Sequence, residues 1–154
     1  MGGVTLFEPL HDTNANLALY TQQYLENQLV VALGGRVAEE LKFGKMRATT
    51  GAYGDFQKVQ KIARDMVTLY GFNQNLGPGA WTPDQATSNN MANEIDGEVS
   101  YLVNWAYDRA TQLLTVHEAY LDKIASKLME RGTIGDRELL EVLKGIGCDL
   151  PLRE

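Results

Sequence analysis

Leu33-Gly34-Gly35-Arg36-Val37-Ala38-Glu39-Glu40, followed after eight residues by Thr49-Thr50-Gly51-Ala52-Tyr53-Gly54-Asp55-Phe56, is the stretch on which the reading of this chain turns. The first segment closes a helical pattern with two carboxylates. The second is a glycine-broken turn that delivers one more carboxylate to the start of the next helical pattern, an arrangement that resembles part of a metal site. Upstream, Leu25, Leu29, Ala32 or Leu33, and Val37 recur every three or four residues, which places them on one face of a helix over Leu19–Leu41. Gly34 and Gly35 fall inside that helix, each at a cost of about 1 kcal/mol relative to alanine. Either another helix approaches closely at the glycines, or a nearby site needs the backbone close at hand.

Downstream, Phe56, Val59, Ala63, Met66 and Tyr70 form the most regular helical face, and Gly71 is placed to end it as a C-terminal cap. Asp55 stands at the start of this helix, where the dipole and the free N–H groups favour a carboxylate, so its simplest role is an N-cap. Residues 72–90 shift to Gly, Pro, Asn, Thr and Ser, with Gly77-Pro78-Gly79 and Thr82-Pro83-Asp84 as turn signals. Trp81 within them either docks on the domain or supplies a contact surface. A long amphipathic helix is expected from about Met91 to Leu114, a further one through Leu121, Ile124 and Leu128, and a last one from near Asp136. Val4-Thr5-Leu6-Phe7 reads as a short strand stopped by Pro9, before a polar loop around His11. The expected fold is mainly α: a helical bundle with a long antiparallel helix pair and a short N-terminal strand remnant, over residues 1–150. Its parts are a strand and loop (1–16), two helices around the acidic turn (17–71), a loop (72–90) and C-terminal helices (91–145).

Composition narrows the function classes. A chain of 154 residues suits one domain with an ordinary core. Its net charge of −6, with fourteen scattered Lys and Arg, argues against a nucleic-acid partner. Cys148 is alone, so it makes neither an internal disulfide nor a thiolate metal cluster. No apolar run is long enough to cross a bilayer, and residues 1–4 begin neither a signal nor a transit peptide.

Local chemistry is sparse. His11 and His117 are the two histidines; His117-Glu118-Ala119-Tyr120-Leu121 starts like a zinc-protease helix but carries leucine where a second histidine would stand. Ser88, Ser100 and Ser126 lack the glycine context of a nucleophile elbow. Residue patterns alone therefore reach a helical domain with one acidic turn.

The wording of the motifs goes further. Tyr24 to Glu40, then Phe43-Gly44, Thr49-Thr50-Gly51-Ala52 and Asp55, then Ile62-Ala63-Arg64-Asp65-Met66-Val67, Tyr70-Gly71-Phe72 and Leu76-Gly77-Pro78 resemble the peptidase domain of the FtsH-type ATP-dependent zinc metalloproteases in order and spacing. The likeness extends to Gly2–Phe7, Glu94–Val99 and Ala106–Ala110, and the wording of Tyr24–Glu40 is nearest to the chloroplast and cyanobacterial branch. Members of that family bind zinc through two histidines of an HExxH helix and an aspartate after the TTGA turn. The resemblance thus implies Asp55 as a metal ligand and Glu39 or Glu40 as an acid that orients a ligand histidine. It also implies Thr49, Thr50 and Gly51 as the residues that shape the turn, the glycine by adopting angles closed to other residues. Polypeptide substrates, a homo- or hetero-hexamer, ATP on a separate module and a thylakoid or bacterial membrane setting are implied in the same way.

HExxH belongs upstream of the Gly2-Gly3-Val4-Thr5 segment in that family and does not occur in these 154 residues. No catalytic residue is therefore assigned, and neither tight zinc binding nor peptide hydrolysis is expected of this polypeptide alone. The segment Gly79–Asn90 is short for the family, and Tyr53-Gly54 replaces a small polar pair. The chain is expected to be the C-terminal part of such a protease. The alternatives are a free-standing non-catalytic relative that serves protein interaction or protease assembly, and a plain helical domain of shared ancestry.

Overall fold

The computed structural model describes residues 4–6, 19–82 and 88–145, which form five α-helices and two short 3-10 turns in two compact units, Met1–Thr111 and Gln112–Glu154. The fold is mainly α, as the apolar spacing predicts. The loop around His11, the Pro83-Asp84 turn and Cys148 lie outside the described residues.

In the first unit, α1 (Gln22–Phe43) starts where the Thr21 hydroxyl accepts the Tyr24 amide at 3.2 Å and stops at Gly44, whose φ of 81° is open to glycine. α2 (Tyr53–Thr68) follows two 3-10 turns, Lys45–Arg47 and Thr50–Ala52. Past its end, Gly71 takes φ 68° and swings the chain so that the Phe72 amide bonds the Met66 carbonyl at 2.8 Å, the stop predicted for that glycine. α3 (Asn89–Val116) begins in this unit. Leu29, Leu33 and Val37 of α1, Val59, Ala63, Met66 and Val67 of α2, and Ile95, Val99 and Ala106 of α3 are buried and supply the core. The second unit holds α4 (Glu118–Arg131) and α5 (Asp136–Lys144), separated by a left-handed Gly132 and joined by an Arg131–Glu138 ion pair.

Two expectations change, and the open choice at Trp81 is resolved. Val4–Leu6 form no strand and are exposed; strand hydrogen bonds need a second strand, and none occurs among the described residues. Helix packing does not explain Gly34 and Gly35, since a Cβ at either would meet nothing within 4 Å. Their outward side is open, and Val31, one turn earlier, is 53% exposed. Trp81 docks: its amide donates to the Thr68 carbonyl at 2.6 Å and its ring lies 3.4 Å from the position of a Cβ on Gly79.

Candidate functional site

The turn between α1 and α2 is held from the end of α1. The Thr49 amide donates to Glu39 Oε2 at 2.8 Å, and the Thr49 carbonyl accepts Arg36 Nη1 at 3.0 Å. Arg36 and Glu39, one helical turn apart, therefore fix the peptide groups on both sides of one residue. Thr49 Oγ1 lies 3.2 Å from both carboxylate oxygens of Glu39 and accepts the Gly51 amide at 3.2 Å, capping the 3-10 turn Thr50–Ala52. The Tyr53 amide bonds the Thr50 carbonyl, and α2 begins.

Gly51 serves this turn in a different way from the one its type suggests. Its φ is not positive, so it needs no angle closed to other residues. A Cβ there would stand 3.2 Å from Thr49 Oγ1, the acceptor of its own amide. An added methyl would press on that hydroxyl, and no positive φ calls for glycine here.

Asp55 emerges as the third residue of α2, exposed to solvent. Ala52 occupies the N-cap position without a side-chain bond, so the N-cap role expected for Asp55 is corrected; the preceding 3-10 turn sets the helix start two residues earlier than Asp55. Among the described residues no hydrogen bond or ion pair engages its carboxylate. It carries charge at the positive end of a helix and leaves its oxygens free for a cation.

Glu39 and Glu40 face different partners. Glu39 grips the turn, whereas Glu40 accepts Arg36 Nε at 2.6 Å and the hydroxyl of Tyr107 from α3. The Tyr107 hydroxyl, aided by Arg36 and Lys45, holds the Glu40 carboxyl below its ordinary value against the opposing pull of burial. The same bond to Glu40, together with burial, raises the Tyr107 phenol. Arg36 and Tyr107 fall within stretches quoted from the sequence but are assigned no site role there. The Arg36–Glu40 pairing was visible in their four-residue spacing, but nothing local marks Tyr107, 67 residues beyond Glu40.

His117 precedes α4 and stacks on Tyr120 with ring centres 5.1 Å apart. Among the described residues no three His, Cys, Asp or Glu side chains gather to hold a metal ion. Asp55 fits zinc as a single oxygen donor, and one donor is short of the three protein ligands that a catalytic zinc takes.

The family model for Peptidase family M41 matches residues 1–142. This chain belongs to that family. Among its relatives, "ATP-dependent zinc metalloprotease FtsH 3" of Synechocystis is 41% identical across 98% of this chain. The chloroplastic "ATP-dependent zinc metalloprotease FTSH 1" of rice and the Synechococcus protein "ATP-dependent zinc metalloprotease FtsH" are each 42% identical across 92%. This M41 chain spans 26%, 22% and 24% of their respective lengths. The organisms agree with the cyanobacterial and chloroplast branch that Tyr24–Glu40 resembles.

Proposed function

We propose that this M41 chain is the C-terminal part of an FtsH-type, ATP-dependent zinc metalloendopeptidase that degrades unfolded or membrane proteins, and that Asp55 is its contribution to the zinc site. The observation that carries the reading is a free, exposed carboxylate on the first turn of α2, directly after a turn fixed from both sides by α1. Zinc in such a site lowers the pKa of a bound water to about 7 and polarises the peptide carbonyl. In that setting Asp55 supplies one anionic oxygen, Thr49, Thr50 and Gly51 shape the turn that aims it, and Glu39 or Glu40 orients a neighbouring ligand. Each already has partners within this chain, Thr49 for Glu39 and Arg36 with Tyr107 for Glu40.

The remaining ligands and the general base belong to an HExxH helix outside these residues, and ATP to a further module. This chain alone is then inactive. The same reading extends to a hexameric assembly and a thylakoid or bacterial membrane setting; in this chain itself no described helix is long and apolar enough to cross a membrane.

Calorimetric titration with zinc tests the reading. The 154-residue chain is expected to show no tight binding, whereas the protein carrying HExxH binds zinc and loses it on Asp55→Asn. A tight site in the isolated chain, or zinc retained by the variant, would overturn the assignment.

A further inference from the structure

We propose that Arg36 is the positioning residue for Asp55, an inference that rests on the reading of Asp55 as a metal ligand. Three contacts converge on its guanidinium. Nε donates to Glu40 at 2.6 Å, Nη1 donates to the Thr49 carbonyl at 3.0 Å, and Cζ lies 5.8 Å from the centre of the Phe56 ring. Glu40 also accepts the Tyr107 hydroxyl from α3. The other edge of the guanidinium holds the turn that precedes Asp55, and its face meets the residue that follows Asp55. Arg36 thus touches the backbone before the ligand and the side chain after it, without touching the ligand.

Only arginine suits this place. Its planar group presents Nε and Nη1 in fixed directions to two acceptors while offering a flat cationic face to an aromatic ring. A lysine ammonium at the same position reaches one of these partners at a time. The clasp also explains why Glu39 and Arg36 stand three residues apart on α1: one takes the Thr49 N–H, the other its C=O. With either removed, the turn keeps one tether and can pivot about it.

Arg36→Lys and Arg36→Gln are compared with Tyr107→Phe, which strips Glu40 of its other partner but leaves the Arg36–Thr49 bond. Hydrogen exchange on the 154-residue chain is expected to speed up at least tenfold at the Gly51 and Tyr53 amides in both Arg36 variants and not in Tyr107→Phe. In the protein carrying HExxH, the same two variants are expected to raise the zinc dissociation constant at least fivefold, again unlike Tyr107→Phe. Equal effects from Tyr107→Phe would reduce Arg36 to a stabilising residue, and unchanged exchange in Arg36→Lys would overturn the clasp. Asp55→Asn, run alongside, reads the underlying assignment: zinc affinity unaffected by that change would refute the ligand reading and Arg36's link to the metal, whatever the exchange shows.

Discussion

Replacing Tyr107 by phenylalanine isolates a bond that ties the acidic end of α1 to α3. The change keeps the ring and removes only the hydroxyl that donates to Glu40. Glu40 is a charged acceptor whose side chain is 11% exposed, so little water is at hand to replace the lost donor. Hydrogen bonds to charged groups contribute roughly 1.5–3 kcal/mol, and the surviving Arg36 partner places the expected loss near the lower end, about 2 kcal/mol. For a chain of this size that corresponds to a melting point lowered by about 4–8 °C. The pH dependence gives a second check. Glu40 is depressed in the folded chain, so its share of stability is present above the ordinary glutamate value and is lost as pH falls through the folded one. Tyr107 is raised, so its share is present below the ordinary tyrosine value and is lost as pH rises through the folded one. Urea unfolding followed by circular dichroism at acid, neutral and alkaline pH is expected to show the gap between the two proteins widest at neutrality and narrower at both ends. A gap that stays constant with pH, or a neutral loss below about 0.5 kcal/mol, would refute the account of this bond.

Other substitutions probe separate parts of the chain. Gly34→Ala is expected to stabilise α1 by about 0.5–1 kcal/mol, because the new methyl meets open space and helix propensity improves; a lower urea midpoint would contradict the open face seen there. Glu98→Gln is expected to cost about 1–3 kcal/mol. The buried Glu98 carboxylate accepts both the Gln74 amide and the Asn75 side chain, and an amide cannot accept from both in the same way. Limited proteolysis should then cut first within Phe72–Leu76, and a cleavage pattern identical to that of the parent chain would count against Glu98 holding this segment.

Much of the helical architecture was legible in the sequence because its signals are local. Leu25, Leu29, Leu33 and Val37 recur at helical spacing, and all four are buried in α1. Gly71 was readable as a stop because a positive φ is a property of one residue. Asp55 was visible as the carboxylate at the start of α2, but its capping role was not, since the 3-10 turn ahead of it moves the helix start. Gly51 lies in the turn but without the special backbone angle expected of it, and how close a Cβ there would come to Thr49 Oγ1 depends on where that hydroxyl points.

The sequence by itself determined a mainly helical chain of the M41 family with one acidic turn and a candidate ligand in Asp55. It did so because helix periodicity and motif spacing are recorded residue by residue along the chain. Tertiary structure alone separated Glu39 from Glu40 and gave Arg36 and Tyr107 their places. Adjacent carboxylates on a helix point about 100° apart. Which of them meets the turn and which meets α3 depends on what folding packs beside each, and Tyr107 comes from a helix 67 residues away.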